Sequence, residues 1–223
     1  MAARDAARWV YLGTRGWLTM LLIERRQGIE TARRSNLEPG LASDERVDYE
    51  PATWRELRRI LREEEVDEND VFLDVGSGKG RILLQAGRYR FGRIIGIELS
   101  PSLIEVSRAN LAAADGRLRC RNVVVEHADA AEYHVPDDTT VVYMNNPLAG
   151  GAFEAFVSRL LESLERRPRR LRLIYRTPYE RAFLEGTGRF RLVRVRRGRR
   201  PGKSWSERSS TLLYEATPLS PNS

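Results

Sequence analysis

From residue 70 to residue 216 the chain alternates short apolar runs with stretches whose apolar residues recur at helical spacing. That alternation predicts βαβ units and a parallel sheet. The runs 71–75 (VFLDV), 93–98 (RIIGIE), 123–125 (VVV), 140–144 (TVVYM) and 171–175 (LRLIY) read as five parallel strands. Helical patterns fall between them at 79–89, 100–114 and 153–164, with a short one near 179–184. Ser100 and Pro101 supply an N-cap and a first-turn proline for the second of these. The last two runs, 190–195 and 210–216, predict an antiparallel hairpin that closes the sheet. Ahead of the first strand, Trp54, Leu57, Ile60 and Leu61 predict an amphipathic helix over 51–65. Residues 1–50 are irregular, with Trp9, Tyr11 and Trp17 followed by a polar stretch. The expected organisation is an N-terminal helical extension over 1–50, placed to act as a lid, an α/β domain over 51–217, and a tail over 218–223.

Composition narrows the chemistry. The 223 residues are 41% hydrophobic and 31% charged, which suits one domain with an ordinary core and excludes disorder of the whole chain. Cys120 is the lone cysteine and His127 and His134 are the two histidines, so no internal disulfide, cysteine-built zinc site or three-histidine metal site is expected. Both histidines read as loop residues, Cys120 as a small buried side chain and Lys79 as a residue capping a solvated face. No apolar run approaches the ~18–20 residues of a membrane span. The candidate stretch 17–23 ends at Glu24-Arg25-Arg26 without a small-residue cleavage site, so a cytoplasmic protein without a signal peptide is expected. The net charge of +7 would suit a nucleic-acid partner. Yet 36 of the 38 basic residues are arginine, spread over every segment, with a cluster at 194–203. That spread reads as a composition bias, with nucleic acid kept as a secondary partner.

The central motif is Asp74-Val75-Gly76-Ser77-Gly78-Lys79-Gly80, placed between a strand and a helix. Glycines there let the backbone turn tightly and approach a ligand. A dinucleotide fingerprint counted from Gly76 needs a third glycine at position 81, where this chain has Arg81. The carboxylate of Asp74 would repel a pyrophosphate and would suit the ammonium of a methionine moiety. No phosphate-loop motif is present. Glu98 ends the second strand, where a carboxylate can accept ribose hydroxyls. Asp129 follows the third, where it can accept an adenine amino group. Three acids at three successive strand ends point to S-adenosylmethionine as the cofactor.

At these residues the sequence resembles the class I S-adenosylmethionine-dependent methyltransferases, over about residues 49–216. The matching pieces are DVGSGKG (74–80), GIELS (96–100), HADA (127–130) and YMNNP (143–147). The resemblance implies a Rossmann-like, doubly wound sheet of seven strands, mostly parallel, with an antiparallel terminal hairpin. It implies that Asp74 anchors the methionine amine, Glu98 the ribose and Asp129 the adenine. Tyr49, Gly76, Ser77, Gly78, Leu99, Ala130 and Asn145 complete the expected cofactor set. Tyr49-Glu50-Pro51-Ala52 also resembles an element of bacterial relatives of histone and mitochondrial lysine methyltransferases. Asn145-Asn146-Pro147 resembles the Asn-Asn element of the telomeric-silencing lysine methyltransferases. It is similar as well to the [Asp/Asn]-Pro-Pro-[Tyr/Phe] box of amino methyltransferases acting on nucleic-acid bases and glutamine. This chain departs from that box, with one proline and with Leu148 in the aromatic place.

Methyl transfer from a sulfonium is an in-line displacement that asks mainly for proximity and orientation. Asn146 can accept an N–H of the acceptor through its side-chain oxygen and is the expected catalytic residue. Pro147 and Tyr175 join it as expected substrate contacts. The expected activity is N-methylation of an amine-bearing substrate, a protein lysine or similar. A small-molecule methyltransferase of specialised metabolism is the alternative, and a non-catalytic nucleic-acid-binding protein on the same fold is the rival of another class.

Overall fold

The structure is a computed structural model that describes residues 14, 17, 18, 20–32, 51–198 and 209–218. A single sheet of seven strands forms its centre: β1 (Val71–Val75), β2 (Arg93–Glu98), β3 (Val123–His127), β4 (Val141–Met144), β5 (Leu171–Arg176), β6 (Phe190–Arg196) and β7 (Thr211–Ala216). Their order across the sheet is β3-β2-β1-β4-β5-β7-β6. Strands β1 to β5 pair in parallel, and β7 inserts antiparallel between β5 and β6. This is the expected fold, down to the closing hairpin. A helix follows each of the first two strands, α3 (Arg81–Ala86) and α4 (Pro101–Ala114), after a π-helical turn (Met20–Glu24) continued by α1 (Arg25–Gln27) and then α2 (Glu56–Ile60). Helices α5 (Gly150–Arg166) and α6 (Arg181–Gly186) follow β4 and β5. None of the described helices is long and apolar enough to cross a membrane.

Strand alternation sends side chains into two cores, one on each face. Val71, Leu73, Val75, Val142, Met144, Leu173 and Tyr175 pack with Phe153, Phe156 and Leu160 of α5. Phe72, Ile94, Val141, Tyr143 and Ile174 pack with Leu57 and Ile60 of α2 and Ile82 and Leu83 of α3. The strand order reverses between β1 and β4, so the carboxyl ends of these two strands open a crevice of the kind in which open α/β sheets bind ligands.

The helix expected over 51–65 is shorter than its pattern. Leu61 leaves the helical region, and Glu65 accepts the backbone N–H of Arg62 at 2.8 Å, starting a separate turn at Glu63–Glu65. That local cap competes with helix continuation, and the apolar spacing carries no trace of it.

Candidate functional site

The glycine loop leaves β1 with Gly76 at φ 69° and Gly78 at φ 54°, backbone that glycine adopts without strain. The N–H groups of Gly76 and Ser77 donate to the carbonyl of Ile97 at 3.0 and 2.9 Å, which folds the loop over the end of β2. Gly80 caps α3 at φ 79°, and a Cβ there would lie 2.5 Å from Ser107 Oγ of α4. The loop therefore lies close against both neighbouring elements.

Asp74 sits at the base of this loop, 2% exposed. Its Oδ2 has no hydrogen-bond partner among the described residues. Burial, and secondarily the nearby Glu98 carboxylate, raise its pKa well above the ordinary carboxylate value. A buried acid of this kind is costly to ionise unless a cation neutralises it. An ammonium group fits that need and a pyrophosphate does not. Glu98 is buried too, and its carboxylate is turned onto the loop. Oε2 accepts Gly78 N–H at 2.8 Å, and Oε1 accepts Leu99 and Ser100 N–H at 2.9 and 3.0 Å. Any ribose hydroxyl must share this carboxylate with three backbone amides. Asp129 is half-buried and accepts Ala131 N–H at 3.0 Å, while Ala128 N–H donates to Glu98 carbonyl oxygen at 3.0 Å. The exits of β2 and β3 are thus tied together, with Leu99 half-buried and Ala130 buried beside them.

On the other side of the crevice β4 ends in Asn145-Asn146-Pro147. Asn146 is 6% exposed and holds φ 51°, a left-handed conformation unusual for a side-chain-bearing residue. Its neighbour Pro147 lies against the glycine loop, since a Cβ on Gly76 would come within 2.6 Å of Pro147 Cβ. Asn146 Oδ1 accepts from the hydroxyl of Tyr175 at 3.1 Å, and that hydroxyl oxygen in turn accepts Glu180 N–H at 3.1 Å. Because the oxygen is occupied as an acceptor by a backbone amide, its proton goes to Asn146, which fixes which way the asparagine amide faces. Burial pushes the Tyr175 hydroxyl up to about 12, so it keeps that proton.

Two expectations change here. Tyr175, expected to touch the acceptor, is fully buried and stacks on Phe153 with ring centroids 5.4 Å apart. Among the described residues its hydroxyl meets the site at Asn146. Lys79, expected on a solvated face, is buried and pairs with Glu30 at 2.6 Å. Tyr49 lies outside the described residues, as does the second half, 199–203, of the basic cluster at 194–203. His127, expected in a loop, is instead the exposed last residue of β3, with Nε2 2.9 Å from Leu99 carbonyl oxygen, while Cys120 is buried as expected.

Sequence reasoning missed the network around Arg81. Its guanidinium donates to Glu24 Oε1, Thr31 Oγ1 and the carbonyl of Ala52, each at 2.7 Å, and lies 5.1 Å from the ring centre of Trp54. Residues 20–32 are thereby fastened to the first turn of α3, directly after the glycine loop. A second missed pair, Arg176 with Glu56 at 2.7 Å, fixes α2 to the end of β5. The arginine standing where a dinucleotide binder has glycine was the available signal for the first, and nothing local marked the second.

Residues 72–168 match the model of a methyltransferase domain family. The match and the seven-stranded sheet agree on the α/β, Rossmann-like fold of methyltransferases for this region. Over 91 residues, 41% of this chain, the sequence is 33% identical to a probable ribosomal RNA small subunit methyltransferase A of Methanopyrus kandleri. The aligned part spans 30% of that relative's length. An RNA methyltransferase from Salinibacter ruber in complex with S-adenosyl-L-homocysteine superposes with a TM-score of 0.52 at 24% identity, covering 78% of this chain and 97% of that one. A dimethyladenosine transferase from Plasmodium falciparum superposes at 0.53 with 14% identity, covering 73% and 61%. These likenesses to solved structures are likenesses of fold.

Proposed function

We propose that this protein transfers a methyl group from S-adenosylmethionine to a nitrogen of an RNA base. The observation that carries the reading is the contact between the glycine loop and the Asn145-Asn146-Pro147 loop, which sets donor and acceptor sites side by side. The donor supplies an electrophilic methyl group on a sulfonium. Asp74 pairs with the methionine ammonium, Glu98 takes the ribose hydroxyls, and Asp129 takes the adenine amino group, with Gly76, Ser77, Gly78, Leu99, Ala130 and Asn145 lining the cofactor. Asn146 accepts an N–H of the acceptor through the remaining lone pair of Oδ1 and aims the nitrogen at the methyl group.

The names of the relatives support RNA as the acceptor class, as does the net charge of +7. So does the protonation of the site. A base nitrogen is neutral near pH 7, whereas a lysine amine, with a pKa of about 10.4, must first lose a proton. The hydroxyl next to Asn146 keeps its own proton and cannot take that one. A protein lysine, suggested by the resemblance of Tyr49-Glu50-Pro51-Ala52, is the second reading. Incubation with S-adenosylmethionine labelled in the methyl group, together with total RNA or ribosomal protein, separates the two. Label in nucleosides after complete RNA digestion supports the first reading, and label in methyl-lysine alone replaces it with the second.

A further inference from the structure

We propose that Tyr179 is the aromatic platform on which the acceptor base stacks. This rests on the RNA reading and deepens it. Amino methyltransfer to a base requires the ring to be held face-on while one of its nitrogens approaches the methyl group, and aromatic side chains hold bases in that way. The residue after Pro147 cannot do so here. Leu148 is not aromatic, is 4% exposed, and packs in the core beneath α5.

The loop that follows β5 supplies what is missing. Tyr179 is 59% exposed, while Tyr143, Tyr175 and Tyr214 are fully buried. Its backbone is held to the acceptor loop at several points. Glu180 N–H donates to Tyr175 Oη, and Tyr175 Oη donates to Asn146, so one oxygen atom separates the Tyr179–Glu180 peptide from the Asn146 amide. Thr177 Oγ1 donates to Asn145 Oδ1 at 3.4 Å, and Gly150 N–H donates to Glu180 Oε1 at 3.1 Å. Tyr179 N–H closes onto Thr177 carbonyl oxygen at 2.9 Å.

Asn146 and Thr177 are the two non-glycine residues with positive φ among the described residues, at 51° and 52°. Thr177 bonds to Asn145, the chain neighbour of Asn146. Strain of this kind persists where the surroundings over-determine the backbone, and it gathers at ligand-holding loops. An exposed ring ordinarily needs no fixed support. Here the ring stands on a strained turn bonded to Asn145 directly and to Asn146 through the Tyr175 hydroxyl.

The test uses the full chain loaded with S-adenosylhomocysteine and a short single-stranded RNA carrying 2-aminopurine, whose fluorescence falls on stacking. Methyl transfer to total RNA is followed in parallel. The wild type and Tyr179→Phe are expected to quench the probe alike. Tyr179→Leu and Tyr179→Ala are expected to lose the quenching and to raise the KM for RNA roughly five-fold to a hundred-fold, the range found for base–aromatic stacking. Affinity for S-adenosylhomocysteine and the melting temperature should stay at the wild-type values. Wild-type transfer to RNA with an unchanged Tyr179→Ala, or a Tyr179→Leu indistinguishable from Tyr179→Phe, overturns the inference and leaves the RNA reading standing. A wild type that binds S-adenosylhomocysteine yet methylates no RNA overturns both.

Discussion

Gly76 and Pro147 meet so closely that a single added methyl group would drive Cβ atoms to within 2.6 Å of each other. The contact joins the loop after β1 to the loop after β4, and with it the two halves of the crevice. Gly76→Ala is therefore expected to push the loops apart and to strain a backbone held at φ 69°. A side chain in left-handed backbone costs about 1–2 kcal/mol by itself. Calorimetry should show weaker binding of S-adenosylhomocysteine, and turnover should fall in the same variant. Adding Pro147→Gly removes the clashing atom and should recover part of both losses, leaving only the backbone strain.

Asp74 links cofactor binding to pH. Its pKa is raised in the folded protein, so its contribution to stability is present at low pH and is lost as the pH rises through the raised value. A bound ammonium reverses that trend by favouring the carboxylate. The gain in melting temperature on adding S-adenosylhomocysteine should therefore grow with pH across this window. Asp74→Asn should melt no lower than the wild type without ligand, and should show a smaller, pH-independent gain with it. Loss of the charge-assisted bond is expected to cost about 1.5–3 kcal/mol of affinity.

Tyr175 and Asn146 should act as a unit. Tyr175→Phe keeps the ring stacked on Phe153 and removes only the hydroxyl that orients Asn146. It is expected to lower kcat about ten-fold, worth about 1.4 kcal/mol, with little change in cofactor affinity. The double variant with Asn146→Ala should be no slower than Asn146→Ala alone, because the hydroxyl then has nothing left to position. Additive losses would give Tyr175 a separate role. With its hydroxyl pushed up to about 12, Tyr175 should add no inflection to the pH–rate profile between pH 6 and 10 on the scale set by that shift.

Nucleotide selectivity follows from the same acid. S-adenosylhomocysteine should raise the melting temperature, and NAD at equal concentration should not, because Asp74 meets a cation in one ligand and a pyrophosphate in the other. Stabilisation by NAD alone would reassign the loop.

The sheet was legible because buried parallel strands write themselves as near-continuous apolar runs, and β1, β2, β4 and β5 are largely such runs. Their ends were legible because Asp74, Glu98 and Asn146 interrupt that apolar pattern where a core residue would otherwise continue it. What the pattern could not carry was partnership. Arg81 and Glu24 are 57 residues apart, and an arginine that will be buried reads like one that will be solvated. Tyr175 looked like a substrate contact because a tyrosine at a strand end offers a hydroxyl. Only its bonds to Asn146 and Glu180 show that the hydroxyl is already engaged. The end of α2 at Ile60 depends on Glu65 folding back onto Arg62, a choice between two local hydrogen bonds that helical spacing does not record.

The Arg81–Glu24 pair has a consequence for how the molecule comes apart. Both side chains are at most 5% exposed, and each is the charge that makes the other tolerable. Residues 20–32 cannot peel away without leaving a buried guanidinium at the start of α3, at a cost of about 3–5 kcal/mol. Hydrogen exchange should accordingly find the amides of Thr31 and Ala32, which donate to Glu24, opening in one cooperative unit with α3. A chain begun at residue 51 would keep its strands and lose that unit, so the helix behind the glycine loop would be the first element to melt.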